Sequence, residues 1–542
     1  MSRTDLSLAE LDAAGGRVHW LLELTIAGRV LRFTDGGEEL VVVDVAGDET
    51  VWLPGLGDLV VQLEGDAADA TVAIAPGEVD WAEMAAVGHD LHGTGRLLRW
   101  AEGQVLEAAR QLVSGWVMSP AWGGEGEPFG CSISRPKWSN ASPVPEASRS
   151  ISSTTWPSAT GITEGTAQGR AYPVIIGAPS RALPSGRIAG GSPAPIASLG
   201  TSATTVRDST IIAADGEIVA TAATLLWASD EEGEVSDVVD LVSAVDELGQ
   251  RVTVVDLSTV ENVLPESGGD YRIHWHAGGG VPSLTDPTVA ISGAGEVIEY
   301  LLRRSGVVVD VGRQRAAGLD AYRIDAAISA SANAEQWVQE HLGETIGLFR
   351  GEGARGVWYQ PWPVLGDVRE PTAGVELVED APEVDGGLVV IRTSAVSCSS
   401  VGDVANTITV EYALSDDKPT RRLVVSGTDA DGALVARVCA WSRARYGSRS
   451  MRLQLAAVYD DATATQIALR AAAARALPRV SFDIEGDVEL EALLRVGDVV
   501  AYTSAALRWT RRLCVVRSLE LGRTTVAARL EVIEDPSDRR VA

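Results

Sequence analysis

Apolar and polar residues alternate with period two along much of this chain, and period two is the signature of half-buried strands. Residues 21–33 alternate in two segments broken at Ala27-Gly28, which predicts a β-hairpin. Short apolar runs at 40–45, 59–63 and 71–74, each bounded by Gly or Asp, predict further strands. Residues 80–87 and 103–113 change period and predict short helices, with Trp81 and Leu112 turned toward a core. Residues 1–118 thus read as an N-terminal β-rich domain.

The pattern lapses over 119–170. Pro120-Ala-Trp-Gly-Gly, Trp138-Ser-Asn-Ala-Ser-Pro and residues 150–155 are rich in Ser, Pro, Gly and Trp and hold too few aliphatic residues for a core. Trp122, Trp138 and Trp156 favour an arm ordered against a partner over a free linker, because large aromatics need a pocket. A second β-rich domain follows over 171–284, with strands expected in Tyr172-Pro-Val-Ile-Ile-Gly, 210–213, 218–223, 251–256 and Arg272-Ile-His-Trp-His. An α+β domain over 285–386 carries a strand at 288–292, a helix at 295–304 stopped by Gly306, and a short strand at 307–309. A second helix at 334–342 is capped by Asn333, and a hairpin pairs 347–351 with 357–360. Residues 387–542 read as a C-terminal β-barrel-like domain with one helix, the Ala-rich 461–477, stopped by Pro478. Its strands are expected at 480–484, 499–502, 513–516 and 525–532. The predicted fold class is α+β and predominantly β. It comprises several β-barrel or β-sandwich modules, a mixed α/β insert and few helices.

Composition sharpens this picture. A length of 542 residues suits about three or four domains. With 75 acidic and 45 basic residues the formal net charge is −30, which argues against a chain built to grip nucleic acid phosphates. The charge is uneven. Residues 421–542 hold 19 arginines against 15 acids, net +4, which leaves 26 basic and 60 acidic residues, net −34, on 1–420. The sharpest acidic cluster, Asp230-Glu231-Glu232-Gly233-Glu234, reads as a solvated loop. Lys137 and Lys418 are the two lysines, an Arg bias that fits a GC-rich coding genome. No stretch approaches the ~20 apolar residues of a membrane-spanning helix. The Met1-Ser-Arg-Thr-Asp-Leu start lacks the apolar run of a secretory signal. Cys131, Cys398, Cys439 and Cys514 are too scattered for a zinc or disulfide framework and are expected as buried free thiols.

Chemical motifs are sparse. GxxxxGK[ST], HExxH, GxSxG and CxxC are all absent from the sequence. Ser292-Gly293-Ala-Gly295 sits between a predicted strand and helix as a dinucleotide loop would. It lacks the third glycine and a parallel βαβ series, so no cofactor site is expected there. His274 and His276 would share one strand face and could ligate zinc together, but no third ligand is nominated, and ordinary partly buried histidines are the simpler account. His89 and His92 form the other histidine pair. Asn140-Ala-Ser142 matches a glycosylation pattern without the secretory context it needs. Asp416-Asp417 reads as a solvated turn.

The C-terminal third holds the most informative order of elements. Arg445-Tyr446-Gly447-Ser448-Arg449 precedes the Ala-rich helix Asp461-Ala-Thr-Ala-Thr-Gln-Ile-Ala-Leu-Arg. Then come Leu494-Arg-Val-Gly497-Asp498-Val499-Val500 and Leu513-Cys-Val-Val-Arg-Ser-Leu. This succession resembles the C-terminal part of bacteriophage tail baseplate hub, or tail tip, proteins. Gly295-Glu-Val-Ile-Glu-Tyr-Leu-Leu-Arg-Arg-Ser-Gly-Val followed by Ala334-Glu-Gln-Trp-Val-Gln-Glu-His-Leu is similar to the central hub segment. Asn406-Thr-Ile-Thr-Val-Glu-Tyr resembles the strand that links them. The likeness covers roughly residues 285–535.

The resemblance implies a structural protein of the virion, located at the distal end of the tail, with no catalytic, cofactor or metal residues to carry over. It implies a homotrimer of β-barrel and α+β domains that closes the tail tube and holds the central spike or fibre. The implied neighbours are the distal tail protein and the tape measure protein. Phage DNA would pass without specific binding, and a negative interior would let it slide. Two other readings compete. A receptor- or glycan-binding tail module would use exposed indoles, with Trp358-Tyr-Gln-Pro-Trp362 as the candidate patch. A tail-associated cell-wall hydrolase would need a nucleophile, metal or acid–base pair that the sequence does not display.

Overall fold

The computed structural model describes residues 17–533 apart from 65–66, 78, 89–90, 125, 135–141, 153, 157–168, 183–187, 199–209, 230–232, 257–270, 276–278, 354, 368–369, 373–374, 380–390, 416–417, 427–432, 488–489 and 524. The architecture is α+β and predominantly β, as the alternation predicts.

One sheet of fifteen strands is the largest frame, and it draws strands from both ends of the chain. Its spatial order begins Arg392–Cys398, Val480–Asp487, Thr525–Val532, Trp509–Leu521 and continues into the N-terminal strands Leu56–Glu64, Ala67–Ile74 and Phe129–Ser134. Arg110–Trp122, Gly93–Ala101, Val18–Ile26, Arg29–Thr34, Glu49–Pro54 and Leu40–Val43 complete the path. The seam between the two ends is antiparallel, with Ser518 to Leu521 opposite Glu64 to Val61. A common core backs it: Trp20, Phe129 and Ile133 from the N-terminal strands are buried with Phe482, Tyr502 and Leu519 from the C-terminal ones.

The first hairpin turns where the sequence placed it. Val18–Ile26 pairs with Arg29–Thr34 through Ala27 at φ 49° and Gly28 at φ 76°, the two positive values that a twist-matched two-residue turn needs. The helix expected at 80–87 is present as Trp81–Gly88, and its Trp81 ring stacks on Phe129 with centroids 3.9 Å apart. The helix expected at 103–113 is not formed. That stretch is a short 3₁₀ turn, Leu106–Ala108, leading into the strand Arg110–Trp122, which runs on through residue 118. Nor is the whole stretch 119–170 an extended arm. Phe129–Ser134 is a sheet strand whose Phe129, Cys131 and Ile133 alternate inward. The Gly-rich flanks masked that alternation, and the partner that orders the strand is the chain's own sheet.

A second sheet of seven strands occupies the middle of the chain, with Gly233–Val245 central and flanked by Ala222–Ser229 and Arg251–Asp256. The expected strand at 218–223 starts later, at Ala222. The expected strand at 288–292 is a closed loop instead, pinned by the Asp286 carboxylate accepting from the Thr288 backbone N–H at 3.0 Å and by the Ser283 N–H donating to the Val289 carbonyl at 2.8 Å. The helix expected at 295–304 spans Ala294–Arg304, and the one at 334–342 is Ala334–Val338 widened into a π-helix over Gln339–Gly347. Asn333 caps it, its side chain accepting from the N–H groups of Glu335 and Gln336. The hairpin follows as Leu348–Gly353 with Gly356–Pro361.

The C-terminal part holds a helix that the strand pattern concealed. Ala433–Tyr446 is a 14-residue helix, in addition to the expected Ala-rich helix Asp461–Arg475. The Ala-rich helix packs on a three-stranded sheet of Lys418–Val425, Thr407–Ser415 and Ser450–Gln454, and Ala433–Tyr446 packs against the Ala-rich helix. Thr407–Ser415 pairs antiparallel with the first and parallel with the last, so the two edge strands run antiparallel to each other and the helix Ala433–Tyr446 carries the chain from one to the other.

Candidate interaction surface

The short motifs of the C-terminal third turn out to be joints. Asn406 is fully buried at the start of Thr407–Ser415. Its amide donates to the Gly447 carbonyl at 2.9 Å and to the Ser442 hydroxyl at 3.1 Å, and its oxygen accepts from the Arg449 N–H at 2.9 Å. Gly447, at φ 76°, closes the helix Ala433–Tyr446 by donating its N–H to the Arg443 carbonyl at 3.0 Å. The Asn406 and Tyr446-Gly447 signals are therefore two halves of one contact.

Gly497 of the Gly497-Asp498-Val499-Val500 turn has φ 88°, and a Cβ there would stand 2.1 Å from the Phe349 ring. The turn needs glycine twice over, for its backbone and for the hairpin that presses on it. The Ala-rich helix is held the same way. Asp460 caps it by accepting from the N–H groups of Ala462 and Thr463. Its buried Arg470 donates to the Ile346 carbonyl at 2.8 Å, to Asp367 at 2.7 Å and to the Trp362 carbonyl. Three carbonyl or carboxylate acceptors satisfy a guanidinium that burial alone would penalise. At the other end Asp461 takes a bidentate pair from Arg181 at 2.7 and 2.8 Å and accepts from the Tyr412 hydroxyl. The Arg181 hydrogen bonds hold its carboxyl down to about 2.

A cleft of about 220 Å³ opens beside the C-terminal end of the Ala-rich helix. Leu365, Leu477, Val480 and Ile533 contribute apolar surface, and Arg479, Arg512 and Arg517 stand with Glu531 among its lining. Trp441 and Tyr446 close one side, their rings edge to face at 6.1 Å. Trp441 remains 41% exposed, one of two tryptophans with so open a side chain among the described residues, Trp116 being the other. Cys398 also lines the cleft and is exposed, whereas Cys131, Cys439 and Cys514 are buried, so the expectation of four buried thiols fails at Cys398. Periodicity could not reveal the cleft, because its walls come from six separate segments.

The other candidates are placed as follows. His274 is buried on the strand Arg272–His274, and His276 lies outside the described residues. Among the described residues no three His, Cys, Asp or Glu side chains are grouped to hold a metal ion. The Gly293 and Gly295 turn is filled by the Asp320 side chain, which accepts from the Glu296 N–H at 3.1 Å and would stand 2.6 Å from a Cβ on Gly293. A phosphate at that helix start would meet a carboxylate already in place. The proposed sugar platform is closed: Trp358 is buried with the Arg313 guanidinium 4.2 Å from its ring centroid. Trp362 is covered by Arg517 at 4.3 Å and packs against Phe349 at 4.2 Å. Residues 89, 140, 230–232 and 416–417, which bear the other sequence signals, lie outside the described residues. No described helix is long and apolar enough to cross a membrane.

Residues 399–516, which span the three-stranded sheet, both helices and the Gly497 turn, match a protein family described as "Putative phage tail protein". No curated protein matches the chain. Similar solved structures include the 43 kDa tail protein of prophage MuSo2 from Shewanella oneidensis, at 8% identity and TM-score 0.38 over 95% of this chain and 98% of that one. The tail protein from Neisseria meningitidis MC58 gives 8% and 0.38 over 94% and 96%. A structure of the phage P2 baseplate in its activated conformation with Ca gives 10% and 0.16 over 68% and 99%. Scores of this size carry no structural equivalence, and the sequence match over 399–516 stands alone.

Proposed function

We propose that this chain, which shares a phage tail protein family's sequence over residues 399–516, is a baseplate hub that closes the distal end of the tail tube. It assembles as a homotrimer, anchors the central spike or fibre, and meets the distal tail protein and the tape measure protein. On genome ejection it opens for DNA to pass without specific binding. The observation that carries this reading is what the matched segment does physically. Its distinctive residues, Asn406, Gly447, Arg470 and Gly497, all lock elements to one another, and none presents reactive chemistry to a cavity.

The acidic balance of 1–420, net −34, supports DNA sliding past without adhering. A glycan-binding role draws no support from Trp358 and Trp362, since sugar stacking needs an open indole face. Gold-labelled antibodies against the chain, viewed on intact virions, test the placement. Label at the distal tip of the tail is the expected result, and label at the head–tail junction or along the tube would refute it.

A further inference from the structure

We propose that the cleft beneath Trp441 receives an acidic segment of another protein, which inserts one apolar side chain between its carboxylates. The proposal rests on the tail-component reading only in taking a protein, crowded among others in a particle, as the source of that segment.

Size is the first constraint. A volume of about 220 Å³ lies below the roughly 300–1,000 Å³ typical of sites that enclose whole small molecules, yet it accommodates a single large side chain. Shape and chemistry are the second. Leu477, Val480 and Ile533 offer an apolar seat, and Trp441 and Tyr446 stand beside it as a rigid aromatic pair, the anchor geometry that concentrates binding energy at protein interfaces. An indole left 41% exposed next to an apolar cavity is a cost that a partner would remove.

Charge is the third constraint, and it selects the partner. Arg479 and Arg517 share the one carboxylate of Glu531, at 3.8 Å and 2.6 Å, and Arg512 adds a further cation, so the lining carries three arginines against one acid. Arg445 extends the same sign outward, its guanidinium 5.5 Å from the Trp441 ring centroid. This is a local inversion in a chain of net charge −30, and it steers carboxylates toward the apolar seat. Nucleic acid fits less well, because phosphate binding rewards a continuous basic track and makes no use of an apolar seat.

Cys398 provides the assay, since it is the exposed thiol in the cleft while Cys131, Cys439 and Cys514 are buried. N-ethylmaleimide labelling of the folded full chain is followed with three probes: the peptide acetyl-EDLFDE-amide, its basic counterpart acetyl-KRLFRK-amide, and the oligonucleotide dT10. The proposal requires that the acidic peptide slow labelling of Cys398 saturably and that the basic peptide leave it unchanged. Trp441→Ala should weaken that protection roughly thirtyfold, as loss of an interface anchor does. Arg479→Glu, at a half-exposed position and with the same unfolding midpoint as the parent as the control, should abolish it. Equal protection by both peptides, or by neither at millimolar concentration, overturns the proposal. Protection by dT10 as strong as by the acidic peptide reassigns the cleft to polyanions. Protection that rises with the protein's own concentration, without peptide, reassigns it to a second copy of the chain. Each of these failures leaves the trimer and the tip location untouched, because those are read by mass and by gold label.

Discussion

Asn406 shows how much one buried side chain can hold. Its three hydrogen bonds tie a strand start, a helix end and the chain leaving that helix. Removing them takes the amide from the fully buried Ser442 hydroxyl and from the half-buried Arg449 N–H, and a buried polar group left unsatisfied costs about 1–3 kcal/mol. Asn406→Ala is therefore expected to destabilise the protein by about 2–4 kcal/mol in denaturant titration, with Asn406→Asp intermediate. A change below half a kcal/mol would show that water replaces the amide.

Asp461 acts at the same scale through charge. Its ordinary value of 3.8 is pulled to about 2 by the Arg181 hydrogen bonds first, then by Tyr412 and Arg421. A folded-state value below the unfolded one means that the ion pair contributes stability above about pH 4 and loses it as pH falls toward 2. Asp461→Asn should lower stability near neutral pH and flatten the acid limb between pH 4 and 2. The side chain is half-exposed, so solvent screening keeps the effect small. An acid limb as steep in the variant as in the parent would assign the acid sensitivity to other carboxylates.

Elements tell a mixed story about what a sequence reveals. Local chemistry was legible wherever it decided the outcome alone. Ala27-Gly28 turned the first hairpin, Asn333 capped its helix, and strand Thr525–Val532 begins and ends where alternation placed it. Long-range packing decided the misses. Helix Ala433–Tyr446 buries Val438, Cys439 and Ser442 on one narrow stripe, with Arg and Trp around the rest, so it shows little amphipathic contrast. Strand Phe129–Ser134 is short and set among glycines, and only its neighbours Ala67–Ile74 and Arg110–Trp122 make it a strand. The cleft at Trp441 was invisible for the same reason, since distant segments of the chain line it.

The Gly497 turn lies between these cases. Its glycine was legible as a turn former, but its second duty, giving way to Phe349, belongs to the hairpin Leu348–Gly353 packed against it. Gly497→Ala combines positive-φ strain of about 1–3 kcal/mol with displacement of that ring. The expected loss is therefore more than about 2 kcal/mol in denaturant titration. Phe349→Ala in the same chain should recover part of it, and purely additive losses would deny the contact.

At the scale of the whole molecule, the shared sheet makes the two ends of the chain depend on one another. Leu56–Glu64 takes Trp509–Leu521 as its neighbour, and the core behind them mixes Phe129 and Trp20 with Phe482 and Tyr502. A fragment ending at residue 134 keeps nine or more strands but exposes one long edge and half of that core. It is expected to aggregate or remain unfolded, as judged by circular dichroism and sedimentation, and a soluble cooperative fragment would contradict the common core. Edge strands such as Leu40–Val43 leave backbone groups open on one side of the same sheet.

The most direct test of the hub assignment is the solution mass of the purified chain, measured by light scattering behind size exclusion. The account predicts a particle three times the 56.9 kDa of one chain. A chain that stays at 56.9 kDa at every accessible concentration, alone and in the presence of the other tail tip proteins, would contradict it.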